Sequence, residues 1–149
     1  MVQIRRFLAF AAILAGLAAA FAMASAPATA QSRRVQVSGE LVDTWCNVSG
    51  IMFSLGTAHH QCAVWCAIGG IPVSIRDGTG AVYMILRIDE DEDLAASPRI
   101  AKIMSHHVVV DGELIERDGV KYLLVTRVAD DQGVINLTHE ANGVQPFGQ

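Results

Sequence analysis

The sequence predicts a mainly β domain: five strands closing into a small barrel, with helices inserted between them. Three observations carry this expectation. Five segments of the 149-residue chain are strand-length and either alternate apolar with polar residues or run apolar throughout. Two tight-turn signals, Asp77-Gly78-Thr79-Gly80 and Arg117-Asp118-Gly119-Val120, join four of these segments into hairpins. A V-x-V-x-G-E-L pattern occurs at 35–41 and again at 108–114. It puts Gly39 and Gly112 in mid-strand, where a small closed barrel needs its strands to bend.

In chain order, Arg5 and Arg6 precede an apolar run from Phe7 to Ala24, and small residues stand at Ala28 and Ala30. This reads as a signal peptide over residues 1–30, cut near Ala30, with a retained anchor as the alternative. The paired arginines leave Sec and twin-arginine export both open. Residues 31–149 then form a single domain. Residues 35–43 predict the first strand, and 44–57, glycine-punctuated and without a clear period, predict a loop. Residues 58–68 predict a short helix that Thr57 caps and that Gly69-Gly70, followed by Pro72, ends. Residues 71–76 and 81–88 predict the first hairpin. The acidic stretch at 89–93 predicts a solvated loop, since it lacks the spaced ligands and the glycine of a calcium loop. Ser97 caps a second short helix with Pro98 as its first residue, and Ile100, Ile103 and Met104 share one face of it. Residues 107–116 and 120–129 predict the second hairpin. From Asp130 the signals fade, and part of 130–149 reads as a loose tail. The strand count and late hairpin fit an OB-like barrel. The order strand, helix, hairpin, helix, hairpin departs from the usual helix placement, so an open α+β sheet is the alternative.

Removing residues 1–30 leaves 9 basic residues against 15 acidic ones. An acidic surface argues against sequence-independent binding to nucleic acid, which needs clustered Lys and Arg. After signal cleavage no remaining segment is apolar enough to cross a membrane. The expected location is periplasmic or secreted, an oxidising setting in which disulfides persist.

The chemistry concentrates in "HHQCAVWC" at 59–66. At about 100° per helical residue, His59, Cys62 and Cys66 fall within roughly 60° of arc, and His60 lies off that line. Cys46, across the preceding loop, can reach the same face. Three sulfurs and one imidazole make a ligand set for a soft or borderline metal. Sulfur outnumbering nitrogen puts Cu(I) ahead of Zn(II). Asp43, Asn47 and His60 stand near enough in sequence to support these ligands.

Two other readings stay open. In one, a disulfide joins Cys46 to Cys62 or Cys66 and staples the loop to the helix, leaving one spare thiol and a module that binds by its barrel face. In the other, the cysteines shuttle electrons, although C-x-x-x-C is not the C-x-x-C spacing of common redox pairs. Trp45 and Trp65, each beside a cysteine, are expected to be core anchors covering the site. His106 and His107 point to opposite faces of a strand and do not chelate together; either can complete the site only if the fold brings it near. His139 is expected to be idle. There is no haem-attachment or nucleotide-cradling motif and no visible catalytic machinery. The expected role is therefore a carrier or buffer rather than an enzyme, with a metal ion or another exported protein as partner.

These motifs resemble those of a group of small exported bacterial proteins with no assigned reaction. The shared pattern is D-x-x-C (Asp43, Cys46), H-x-x-C-A-x-x-C (His59, Cys62, Ala63, Cys66), G-x-P (Gly70, Pro72) and a closing V-x-V-x-G strand pair (Val108, Val110, Gly112). The resemblance spans nearly all of the chain after residue 30. It implies one exported domain with a Cys/His centre and supplies no activity.

Overall fold

The computed structural model describes residues 32–51, 54–89 and 97–141. The export signal read over 1–30 lies outside them, as does most of the acidic stretch at 89–93. Among the described residues no helix is long and apolar enough to cross a membrane.

Five strands close into a ring in the order β1-β2-β3-β5-β4. They are β1 (Ser32–Asp43), β2 (Val73–Asp77), β3 (Val82–Ile88), β4 (His107–Arg117) and β5 (Val120–Asp131). All pairings are antiparallel except β3 with β5. This is the small barrel with helical insertions that the sequence predicts, and the open sheet is set aside. β1 makes the closure possible by pairing with two neighbours. Its residues 32–40 pair with β4 and its residues 39–43 with β2.

The strand must turn where the two pairings meet, and Gly39 sits there. A Cβ on Gly39 would lie 2.3 Å from the Arg76 carbonyl oxygen. Its counterpart Gly112 stands at a register shift between β4 and β5, where a Cβ would lie 2.5 Å from the Leu124 oxygen. The repeated V-x-V-x-G pattern thus marks two places where a neighbouring backbone comes too close for any side chain.

The barrel interior is filled by Val37, Leu41, Val73, Ile75, Ile85, Val108, Val110, Leu123 and Val125. On β4 every second residue from Val108 to Leu114 is buried, the period-two pattern of a strand with one face inward. In both hairpins the expected turns form. Asp118 and Gly119 take φ of 53° and 80°, both in the left-handed region that a two-residue hairpin bend requires.

Among the described residues, four helices are attached to the ring: α1 (Thr44–Ser49), α2 (Gly56–Ile68), α3 (Pro98–Lys102) and α4 (Thr138–Ala141). α2 packs on β1, α3 and α4. It sends Ala63 and Ala67 into the core, while Ile100 and Met104 fill the space beneath α3. From Gly39 onward β1 is buried on both faces.

Three expectations are corrected. Residues 44–49 form a helix rather than loop. The Asp43 carboxylate accepts the Cys46 N–H at 2.8 Å, and Gly50, at φ 67°, ends the turn. Thr57 does not cap α2 from the N-cap position, which Leu55 occupies. The first-turn N–H groups of α2 are met by distant groups instead. Gly56 donates to Glu40 Oε1 at 2.5 Å, Thr57 to the Asn136 carbonyl at 3.0 Å and Ala58 to Thr138 Oγ1 at 3.0 Å. The tail is therefore not loose where it is described. β5 runs to Asp131, and Asn136, Thr138 and His139 dock on the start of α2.

Candidate metal centre

Cys46 enters the site because Asp43 starts a helix at the end of β1 and so turns the chain back over the barrel. One turn of α1 leaves Cys46 only 4% exposed. The other side follows from helix geometry. His59, Cys62 and Cys66 are spaced i, i+3 and i+7 on α2, one face of a 3.6-residue period. The β1–α1 corner and this face meet. A ring nitrogen of His59 and the sulfurs of Cys46 and Cys62 lie within 4.8 Å of one another, and so do an Asp43 oxygen and the sulfurs of Cys46 and Cys66. The Cys62 and Cys66 sulfurs are 4.0 Å apart. All three cysteines are free thiols. This Cys/His group can hold a metal ion.

The floor of the site is closed and the rim is open. Asp43, Cys46 and His59 are buried; Cys62 and Cys66 are partly exposed. His59 Nε2 donates to Asp43 Oδ2 at 2.6 Å. Its other nitrogen, Nδ1, is buried and has no hydrogen-bond partner. A carboxylate that fixes one imidazole nitrogen and leaves the second free is the arrangement by which proteins orient a histidine toward a metal.

Electrostatics set a charged Asp43 beside two thiols that hold their protons. Burial acts to raise the Asp43 carboxyl. The Cys46 N–H, the His59 ring and the Cys46 thiol outweigh it and hold Asp43 below its ordinary value. Cys46 is pushed up to about 12, first by burial and then by the Asp43 carboxylate. Cys66 is pushed up to about 11 by burial, by Asp43 and by Cys62. Both are thiols at neutral pH, so a metal that takes them as thiolates must release protons.

Other residues singled out in the sequence are placed elsewhere. Asn47 donates to Ser54 Oγ at 3.1 Å and holds the loop after α1. His60 Nδ1 donates to the Met104 carbonyl at 3.1 Å, tying α2 to the segment after α3. His106 is bonded to Asp131 at 2.8 Å. Neither His106 nor His107 belongs to a metal-capable group among the described residues. His139, expected to be idle, is buried against the start of α2. Trp45 and Trp65 overturn the expectation that they cover the site. They are 60% and 66% exposed, because each lies on the outward side of the helix that sends its neighbouring cysteine inward. The sequence reading undervalued Asp43, whose oxygens reach the sulfurs as well as His59. The sign of this was the aspartate three residues before Cys46, the spacing of a helix N-cap.

No family model, curated protein or solved structure matches the chain.

Proposed function

We propose that the protein is an exported carrier or buffer of a soft metal ion, Cu(I) ahead of Zn(II), held by Cys46, His59, Cys62 and Cys66. The observation that carries this reading is the His59 ring. It is buried and oriented through Nε2 by Asp43, its Nδ1 has no hydrogen-bond partner, and one of its ring nitrogens lies within 4.8 Å of the Cys46 and Cys62 sulfurs. A buried unsatisfied nitrogen is costly, and a metal–nitrogen bond relieves that cost. The dominance of sulfur favours Cu(I), which two or three thiolates satisfy. Zn(II) would draw on the full tetrahedral set of three sulfurs and His59.

Partial exposure of Cys62 and Cys66 supports transfer rather than permanent storage, since an incoming ligand can reach two of the sulfurs. The resemblance to small exported proteins with the same D-x-x-C and H-x-x-C-A-x-x-C elements agrees with one exported domain. The 4.0 Å approach of the Cys62 and Cys66 sulfurs favours one competing reading, a thiol–disulfide protein.

Intact-mass spectrometry of protein recovered after export, run under native and denaturing conditions, separates the two. A fully reduced chain carrying one metal ion is the expected result. A chain two hydrogens lighter than the reduced mass, with no metal bound, would overturn the carrier reading.

A further inference from the structure

Among the described residues the metal-capable atoms fall into two groups of three, and the Cys46 sulfur belongs to both. The first group is a His59 ring nitrogen with the Cys46 and Cys62 sulfurs. The second is an Asp43 oxygen with the Cys46 and Cys66 sulfurs. Within each group every atom lies within 4.8 Å of the others. These donors outnumber what one soft ion needs, since two or three soft ligands satisfy Cu(I).

Cys46 is fitted to serve both groups. It is buried at the β1–α1 corner, opposite two sulfurs of α2 that stand 4.0 Å apart. A thiolate sulfur that has bound one ion keeps further lone pairs and can bind a second. An ion between two sulfurs, with bonds of about 2.3 Å as for zinc, needs them no more than about 4.6 Å apart. The Cys46 sulfur therefore reaches an ion shared with Cys62, or one shared with Cys66, with little or no movement of the helices. Asp43 has capacity to spare as well. Oδ1 accepts from the Cys46 N–H at 2.8 Å and Oδ2 from His59 at 2.6 Å, and each oxygen has a second lone pair. The Cys46 thiol also donates to Asp43, and that proton departs when a metal takes the sulfur.

We propose that the centre holds two Cu(I) ions with Cys46 as the shared ligand. One ion sits on Cys46, His59 and Cys62, the other on Cys46 and Cys66 with the Asp43 carboxylate beside it. This rests on the carrier reading of the same site and extends it from one ion to two. Charge favours the second ion. The first displaces the protons of Cys46 and Cys62 and leaves Cys66 a thiol. The second displaces the Cys66 proton, one positive charge for another, so the net charge of the centre does not change. Imidazole suits copper better than a carboxylate does, so the second ion is the more weakly held. It is the one free to exchange, and protein recovered after export keeps the tighter one. Zn(II) behaves differently, because a tetrahedral ion draws on all three sulfurs and His59 and leaves no set for another.

The test titrates metal-free, fully reduced protein with Cu(I), supplied as its bicinchoninate complex in the absence of oxygen. The saturated protein is then weighed by native mass spectrometry. The expected result is uptake in two steps and a monomer carrying two copper ions. Zn(II) should stop at one ion per chain. Cys66→Ala, at a partly exposed position, should lose the second Cu(I) and keep the first. X-ray absorption of the two-ion form should show each copper with a copper neighbour, as a shared sulfur requires.

Saturation at one Cu(I) per chain would overturn the second site and leave the carrier reading intact. Binding of neither metal would overturn both. Two ions found only at the mass of a dimer would place the second between copies and overturn the shared sulfur. Retention of both ions by Cys66→Ala would overturn it too.

Discussion

The Asp43 carboxylate and the His59 ring meet at 2.6 Å, with neither side chain reaching solvent. The same carboxylate holds the Cys46 N–H through its other oxygen. One residue thus positions candidate ligands on two different helices. Asp43→Asn keeps the shape and removes the charge, and it should lower metal affinity about 10- to 100-fold. Competition against a chromophoric chelator measures this. His59→Ala should lower it further. Equal affinities in wild type and both variants would exclude His59 from the centre.

The thiols should differ in reactivity in the metal-free protein. Cys46 is buried and pushed up to about 12. At pH 8 almost none of it is thiolate, the form that reacts. Iodoacetamide at that pH should modify the partly exposed rim cysteines before Cys46, as read by peptide mapping over time. Modification of Cys46 first would contradict the closed floor of the site.

Glu40 is the capping group for α2, and it lies 16 residues before the helix begins. Its Oε1 accepts from Gly56 and its Oε2 from Asn136 Nδ2 at 3.0 Å. Glu40→Ala leaves these buried donors unmatched and should cost about 2–3 kcal/mol. Urea denaturation checks this, with a lower midpoint and an unchanged slope expected. Glu40→Gln retains an acceptor and should cost less.

Asp77 organises the first hairpin turn. Its Oδ1 accepts from Thr79 N, Thr79 Oγ1 and Ala81 N, and its Oδ2 from the Tyr83 hydroxyl. The Thr79 hydroxyl is the largest influence, and with the other donors it holds the carboxyl below its ordinary 3.8. The unfolded chain therefore binds a proton before the folded one does. The stability that Asp77 contributes is complete above 3.8 and is lost as pH falls below that, through the folded value. Asp77→Asn should be less stable than wild type at pH 7 by about 1 kcal/mol, and the difference should shrink in acid. Thermal melts at pH 7 and pH 3 compare the two.

Gly39→Ala should destabilise the barrel by more than the about 1–3 kcal/mol of ordinary overpacking, because the new methyl meets backbone and not a movable side chain. A melting temperature close to wild type would mean that β1 can turn elsewhere.

The strands and both hairpin turns were legible because their signals are local. Period-two alternation and left-handed turn residues act within a few positions of themselves. The shared face of His59, Cys62 and Cys66 was legible for the same reason, since a helix fixes it. α1 was not, because six residues are too few to show a 3.6 period, although Asp43 and Gly50 at its ends were both present as signs. The cap of α2 was hidden for a different reason. Glu40, Asn136 and Thr138 serve it from remote parts of the chain, and no local pattern encodes that. The exposure of Trp45 and Trp65 was misread because a tryptophan beside a cysteine says nothing about which of the two faces inward.

The start of α2 waits for residues that the ribosome makes about 80 positions later, since Ala58 is bonded to Thr138 and Thr57 to Asn136. Until that segment has been synthesised, the helix bearing three of the four proposed ligands lacks two of its end partners. The nascent chain therefore carries its thiols on an unfinished scaffold. An ion that needs this helix fixed would meet a completed scaffold only after residues 136–138 have been added.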